Sequence, residues 1–330
     1  ENGENNPLMV LWQKMQAASY EWHAYGKSTI GARSDIENVD IARLQAFYRT
    51  WYQPDNAVLV VAGKFDPKVT LEIVAREFGA IPKPTRALPR LYTVEPVADG
   101  ERAVTVRRTA SAQYVGALFH VMPGAHPDYA AMEALGEIMT VEPAGRLYQA
   151  LVETRKATSV QNWSFATHDP GPAIFFAQVA LGEPVEPARD AMLATLFGVK
   201  DRPITQEELD RVRAKFLKAF DQTVNDPQAF GVQLSEWIAL GDWRLFFLHR
   251  DRWRKLAPAD VTRVAAEWLK PSNMTVGTFV PDAKPDRAPA VAAVDVPALV
   301  AGYKGDEAVA AGEAFDPTPA NLEARTERLK

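Results

Sequence analysis

Histidine is the residue type in this chain best suited to metal binding or proton transfer, and five are present. A helical zinc site needs spacings such as HExxH or HxxEH, and the sequence contains neither. His120 and His126 flank a predicted turn and are interpreted as an accidental pair, while His168 and Asp169 are interpreted as a solvated pair in a loop. His23 is expected near a helix end. The sequence therefore assigns no catalytic residue and no metal ligand, and the substrate-binding residues stay unknown.

Other catalytic signatures are absent from the sequence as well. The chain has no cysteine, which excludes a disulfide, a thiolate zinc ligand and a cysteine nucleophile. It has no G-x-S-x-G, Walker or G-x-G-x-x-G pattern. A basic stretch from His249 to Lys255 could bind phosphate or RNA. The favoured interpretation is a helix with a charged solvent face and Trp253 packed inward.

Composition narrows the class of protein. The length of 330 residues favours about two domains. A content of 47% hydrophobic and 24% charged residues is typical of a globular protein. The net charge of −5 argues against a nucleic-acid partner, since such domains are usually basic. No apolar stretch is long enough to cross a bilayer, so we predict no membrane span.

The elements that would position a site repeat along the chain. Three residues recur 220 positions later, and three more recur 217 positions later: Asp40, Arg43 and Ala46 as Asp260, Arg263 and Ala266, then Trp51, Pro54 and Asn56 as Trp268, Pro271 and Asn273. Each copy predicts a helix, a proline stop and an apolar strand-like run. In the first copy, Asp40 caps the helix and residues 57–62 are predicted to form a buried strand. A long-period repeat indicates duplicated architecture.

Strands and helices alternate through the second half of the chain. The patterns predict five strands, at residues 103–107, 113–121, 159–166, 173–181 and 274–280. Helices are predicted from Asp128, over 145–154 and over 187–197. Another begins at a capping box formed by Thr205 and Glu208. The fold class predicted from this mixture is α+β.

The two copies differ in what precedes them. The second copy follows a long folded-looking stretch, whereas only 39 residues precede Asp40. We therefore expect the first domain to be truncated. Residues 82–96 hold four prolines and have no periodicity, which predicts a linker. The predicted organisation is the C-terminal part of a first domain at 1–90, a linker at 91–99, a complete second domain at 100–282, and a linker toward a third at 283–330.

Three stretches in order along the chain resemble the M16 (pitrilysin/insulinase-like) zinc metallopeptidases. They are Asn6-Pro7 with Tyr25-Gly26, Ile30-Gly31 and 35–38, then the run 47–63 that reads FYRTWYQPDNAVLVVAG, then the helix 145–153 that reads GRLYQALVE. The resemblance covers roughly residues 5 to 281, as expected for domains of this size. It implies tandem α+β domains, each with a mixed or antiparallel sheet covered by helices, the first of them truncated.

The resemblance also implies where metal chemistry would lie. Members of the family use an inverted H-x-x-E-H motif and a distal glutamate, which leave the fourth zinc position for water. That motif precedes the segment that matches Asn6-Pro7, so we expect zinc in the parent protein and none bound by this chain. Glu1 and Glu4 stand near the expected distal glutamate, but their surroundings do not match and neither is assigned. Some members hold the substrate backbone with an arginine and a tyrosine at positions that read Val152 and Ser159 here.

Two functions remain open from the sequence. The first is an inner portion of a zinc peptidase that hydrolyses peptides in a closed chamber; this portion lacks H-x-x-E-H, encloses substrate and is inactive alone. The second is a non-catalytic M16-like subunit that completes the chamber of another peptidase. Both imply peptide substrates and a partner, either other M16 domains of the same protein or a homologous subunit. The resemblance to large bacterial members implies a periplasmic location, with the cytoplasm as the alternative.

Overall fold

The computed structural model describes residues 5–305 and 315–327. They belong to two compact units, the first extending to Pro285 and the second beginning at Asp286. The second unit contains two short helices in its described part, Val296–Val300 and Pro319–Ala324. Asp295 caps the former by accepting a hydrogen bond from the Ala298 amide. All the elements described next belong to the first unit.

Ten helices in the described part of the first unit are numbered here in chain order. They are α1 (Pro7–Ser19), α2 (Arg33–Glu37), α3 (Ile41–Trp51), α4 (Pro67–Phe78), α5 (Tyr129–Thr140), α6 (Glu186–Phe197), α7 (Gln206–Asn225), α8 (Pro227–Ala239), α9 (Leu245–Lys255) and α10 (Pro258–Trp268). The predicted caps are confirmed at Asp40, which accepts from the Ala42 amide, and in the capping box of Thr205 and Glu208. The predicted helix at 145–154 is a shorter π-helical turn, Tyr148–Val152.

Five strands form a single mixed sheet. They are β1 (Arg102–Arg108), β2 (Gln113–Val121), β3 (Ser159–Ser164), β4 (Gly171–Val179) and β5 (Met274–Pro281). Their order across the sheet is β1-β5-β2-β4-β3. Only β1 and β5 run parallel, and the other three pairs are antiparallel. All five predicted strands of the second half are thus confirmed to within a few residues.

The sheet is covered on both faces. Phe119 and Phe175 lie on one face and join the large core formed with α5, α6, α7 and α10. Their neighbours Leu118 and Ile174 point to the other face, because successive strand residues alternate. There they pack with Leu11 and the other buried residues of α1. Helix α1 lies in the range predicted for the first domain, yet it packs on strands of the predicted second domain.

The region from α3 to α4 is exposed. Neither helix has a buried residue, although Asp40 and Asp66 cap them as their sequences predict. The prediction of a buried strand at 57–62 is wrong, since these residues form no strand and are mostly exposed. A strand needs a neighbouring strand for its amide and carbonyl groups, and among the described residues no strand pairs with this run.

Candidate functional site

Three of the five histidines lie close to a single cavity. His23 and His120 line it, and His168 contacts the lining residue Asp169. The cavity has a volume of about 240 Å³. We call it the aromatic cavity, after Tyr20 and Trp268 in its wall. Its lining combines two histidines with the carboxylates of Glu95 and Asp169, which are groups capable of hydrogen bonding and proton transfer.

Five separate segments supply the walls of the aromatic cavity. Tyr20 follows the end of α1, and His120 is the penultimate residue of β2. Trp268 ends α10, and Asp169 lies in the loop between β3 and β4. The fifth segment is 93–98, an extended stretch with no helix or strand. These positions meet because α1 packs across the sheet and α10 leads into the interior strand β5, next to β2.

Glu95 anchors the extended wall of the cavity. Its carboxylate accepts hydrogen bonds from three successive backbone amides, Glu21 at 2.7 Å, Trp22 at 3.0 Å and His23 at 2.8 Å. Burial alone would raise the pKa of Glu95, but these amide donors outweigh it and hold the pKa below its usual value. The ionised carboxylate therefore ties segment 93–98 to the end of α1.

Tyr20 and His120 stack in the wall, with ring centroids 4.3 Å apart. Burial raises the pKa of the Tyr20 hydroxyl, and the nearby Glu95 carboxylate adds to the shift. Burial lowers the pKa of His120, which keeps its imidazole neutral at pH 7. Three buried polar atoms of the lining, Tyr20 Oη, His120 Nε2 and Trp268 Nε1, have no hydrogen-bond partner among the described residues.

The rim of the cavity carries a histidine–aspartate arrangement. His23 Nε2 lies 3.4 Å from Asp169 Oδ2, while His23 Nδ1 accepts from the Tyr25 amide at 3.2 Å. His168 Nδ1 lies 3.1 Å from Asp169 Oδ1. The side chain of His168 is 66% exposed and that of Asp169 is 46% exposed, so the predicted pair is in contact with solvent. No serine, threonine or cysteine nucleophile lines the cavity within the described chain, apart from the Thr93 hydroxyl.

Another histidine, His249, is buried away from the aromatic cavity. His249 Nε2 lies 2.8 Å from Glu133 Oε2, and the same carboxylate oxygen accepts from Trp253 Nε1 at 2.7 Å. Burial would raise the pKa of Glu133, but His249 and Trp253 lower it. Trp253 is fully buried in the main core, as the sequence predicts for the basic stretch. This arrangement joins α5 to α9, and His249 Nδ1 is buried without a hydrogen-bond partner among the described residues.

The arginine of the 145–153 helix has a structural role. Arg146 Nε donates to Glu208 Oε1 at 2.7 Å, and its Nη2 donates to Glu208 Oε2 at 2.8 Å. This pair links the π-helical turn to the start of α7. Val152 is partly buried and Ser159 is exposed at the first residue of β3. Neither carries a charged or aromatic group with which to hold a peptide backbone.

The donor set does not fit a catalytic zinc ion. Within residues 5–305 and 315–327, no three or more histidine, cysteine, aspartate or glutamate residues are grouped so as to hold a metal. Catalytic zinc requires three protein ligands and an open position for water. Glu1 and Glu4 lie outside the described residues. The described helices also include none with the length and apolar character of a bilayer crossing.

Comparison with known proteins places these observations in a family. Residues 38–216 match the family described as "Peptidase M16 inactive domain". The chain is 23% identical over 275 residues to the zinc protease PqqE of Helicobacter pylori, an alignment that covers 82% of this chain. The chain spans only 62% of the length of that relative.

Two solved structures show the same fold. A protease from Helicobacter pylori has a TM-score of 0.80 at 23% identity, covering 84% of this chain and 68% of that one. The inactive peptidase domain of a Bordetella parapertussis protein is 43% identical, with a TM-score of 0.51. It covers 56% of this chain and 99% of its own. Sequence inspection missed Tyr20, Glu95 and Trp268, since no spacing signal links three such distant positions.

Proposed function

Since the chain belongs to the peptidase M16 inactive-domain family, we propose that it is the non-catalytic portion of a zinc-dependent peptidase that cuts peptides within a closed chamber. This portion encloses the substrate and supports the half that binds zinc. The observation that carries the proposal is a contrast between two regions of the described residues. The sheet and its helices hold no group of three or more potential metal ligands, while the region from α3 to α4 exposes large apolar side chains. An apolar surface of that kind marks a contact with another folded element.

The same proposal extends to the domain organisation. Residues 1–90 are the C-terminal part of a first M16 domain, 91–99 a linker, 100–282 a complete second domain, and 283–330 a connection toward a third. The internal repeat supports two related domains in tandem, and the five-stranded sheet supports the second domain as the complete one. The first domain, at 1–90, would receive its sheet from other M16 domains of the same protein or from a homologous subunit.

Zinc content and peptidase activity test this function. The chain is prepared with equimolar zinc, dialysed, and assayed for bound metal and for cleavage of an unstructured fluorogenic peptide. A longer polypeptide that carries the parent's H-x-x-E-H segment is assayed in parallel. We expect zinc-dependent cleavage from the longer polypeptide, stopped by a chelator, and none from this chain. Zinc-dependent cleavage by this chain alone would contradict the proposal.

We also propose a periplasmic location for the parent protein. The resemblance to large bacterial members of the family supports it. Cell fractionation with an antibody against this chain tests the location, using a periplasmic and a cytoplasmic marker enzyme as controls. Recovery of the protein with the cytoplasmic marker would contradict it.

A further inference from the structure

The aromatic cavity concentrates unpartnered polar atoms in one place. A buried donor or acceptor without a partner is costly, and native proteins retain few of them. Three of the unpartnered side-chain atoms in the described structure belong to residues that line this one cavity: Tyr20 Oη, His120 Nε2 and Trp268 Nε1. A ligand that supplies the missing partners would remove that cost. The cavity therefore has the chemistry of a binding site and not only of a packing gap.

The three atoms define what kind of group they can bind. The Trp268 indole N–H only donates, the Tyr20 hydroxyl both donates and accepts, and a neutral imidazole presents one donor and one acceptor. A main-chain amide offers a carbonyl to accept and an N–H to donate. The amide carbonyl can accept from the Trp268 indole N–H, and the amide N–H can donate to the Tyr20 hydroxyl or to the neutral imidazole of His120. A group that only accepts or only donates would satisfy fewer of the three atoms.

Charge excludes an acidic ligand. The carboxylates of Glu95 and Asp169 line the aromatic cavity, and its described lining includes no lysine or arginine. A carboxylate that entered would meet like charges without a cationic partner. The remaining lining combines apolar residues, among them Val94, Val97 and Pro170, with the uncharged polar side chains of Thr93 and Asn273. The favoured ligand is therefore uncharged and has an apolar side chain.

Size limits the ligand further. Pockets for drug-sized molecules measure about 300–1,000 Å³, and this cavity, at about 240 Å³, is smaller. It holds roughly one amino-acid residue with a neighbouring amide. We propose that the aromatic cavity binds one apolar residue of an extended peptide through its main-chain amide. The choice of a peptide rests on the proposed function, while the preference for an amide rests on the cavity alone.

The extended wall provides the route of entry. The three unpartnered atoms are sealed from solvent, so segment 93–98 must move outward before a peptide can reach them. This segment has no helix or strand hydrogen bonds to break. Glu95 holds the segment at the backbone amides of residues 21–23, so its outward movement has to break these three hydrogen bonds. The side chains of Val94 and Val97 are already exposed at 75% and 94%.

Two probes that differ in a single group test the proposal. The full chain is titrated at pH 7 with N-acetylvalinamide and, separately, with N-acetylvaline, whose carboxylate replaces the terminal amide. The readout is the indole N–H resonance of Trp268 in a ¹H–¹⁵N spectrum, identified by its loss in Trp268→Phe. If that variant does not fold, the resonance is identified by its shift in Tyr20→Phe. We expect a saturable shift with the amide and at least tenfold weaker binding of the acid.

Tyr20→Phe provides the specificity control. It removes an unpartnered hydroxyl, so the fold should be kept while binding of the amide weakens by about two- to tenfold. Tyr52→Phe, on an exposed and distant tyrosine, should leave the affinity unchanged. A silent Trp268 resonance, equal binding of both probes, or an unchanged affinity in Tyr20→Phe would each overturn the proposal. None of these outcomes depends on zinc or on cleavage, so the proposed function and this site can fail independently.

Discussion

The two copies of the internal repeat have the same local structure and opposite surroundings. Helix α3 is followed by a 3-10 turn at Pro54–Asn56, just as α10 is followed by one at Pro271–Asn273. Asn56 Nδ2 donates to the Trp51 carbonyl at 3.0 Å, and Asn273 Nδ2 donates to the Trp268 carbonyl at 2.8 Å. The hydrogen bond five residues back is thus kept in both copies. Local sequence alone is sufficient to produce this unit.

Burial separates the copies. Val261 and Val264 are fully buried in the main core, whereas their counterparts Ile41 and Leu44 are 65% and 49% exposed. The apolar run after the second copy is β5, which pairs with β1 and β2, while the run at 57–62 pairs with nothing in the described chain. The difference shows that a β-branched apolar run becomes a strand only where neighbouring strands accept its hydrogen bonds.

The repeat extends to two further helices, α1 and α8. Asn6-Pro7 opens α1 and Asp226-Pro227 opens α8, each with an Asx side chain that accepts from two amides of the first turn. Leu11 and Gly231 occupy equivalent positions, 220 residues apart. Leu11 packs on β5, and a Cβ at Gly231 would lie 3.2 Å from Ala62 in the first copy's apolar run. Helix α8 therefore faces the first copy as α1 faces the second.

A buried charge gives the largest expected difference between the copies. Val264→Asp places a carboxylate without a partner in the main core. We therefore expect the free energy of unfolding to fall by on the order of 4 kcal/mol or more. Leu44→Asp, at the equivalent exposed position, should change the free energy of unfolding by less than about 0.5 kcal/mol. Urea unfolding followed by circular dichroism measures both. A large loss at Leu44 that grows with protein concentration would show that this face is buried between copies.

The ion pairs of the two regions give the next largest effect. Arg146 is 4% exposed in its pair with Glu208, whereas Arg86 is 22% exposed in its pair with Asp55. Glu208→Gln leaves a buried guanidinium unpaired and should cost about 3 kcal/mol. Asp55→Asn should have a much smaller effect that disappears in added salt, because solvent screens that pair. If both variants lost the same free energy of unfolding, the surroundings of Asp55 and Arg86 would be as well packed as those of Arg146 and Glu208.

Acid stability gives a second measurement on the same pair. Burial would raise the pKa of Glu208, but hydrogen bonds from Arg146 and Thr205 lower it to about 2. A carboxyl whose pKa is lower in the folded state stabilises the protein above its unfolded pKa. This contribution is present above about pH 4.5 and should fade as the pH falls toward 2. In Glu208→Gln the free energy of unfolding should depend less on pH across this window, and an unchanged slope would contradict the assignment.

The sequence predicts local structure better than it predicts tertiary contacts between distant segments. The M16 resemblance and the α+β fold are confirmed, as are the capped helix after Asp40, the capping box at Thr205 and the five strands of the sheet. Each depends on spacing and capping residues within one segment. The prediction of a strand at 57–62 is wrong because strand formation depends on neighbouring strands, which a single segment does not reveal. The position of α1 across the second sheet, and the meeting of Tyr20, Glu95 and Trp268, depend on tertiary packing that no short spacing encodes.

Two glycines test the helix contacts with opposite signs. A Cβ at Gly277 would lie 2.2 Å from the Sδ of Met15, which is fully buried, so Gly277→Ala should cost about 1–3 kcal/mol. In a Met15→Ala background, Gly277→Ala should cost less than it does in the unmodified chain, because the clashing sulfur is gone. Gly231→Ala should stabilise the chain by up to about 1 kcal/mol, because alanine favours a helix and Ala62 lies in an exposed segment that can yield. Calorimetric melting distinguishes the two signs.

The smallest expected difference concerns the asparagine that both copies share. Asn273 Nδ2 donates at 2.8 Å to the carbonyls of both Trp268 and His120, so it ties the turn to the end of β2. Asn273→Ala should cost about 1–2 kcal/mol, whereas Asn56→Ala, which loses one exposed local hydrogen bond, should cost about 0.5 kcal/mol or less. Urea unfolding resolves the difference. Because the two asparagines share the local bond, any excess at Asn273 measures the tertiary contact alone, and equal losses would show that burial adds nothing to this motif.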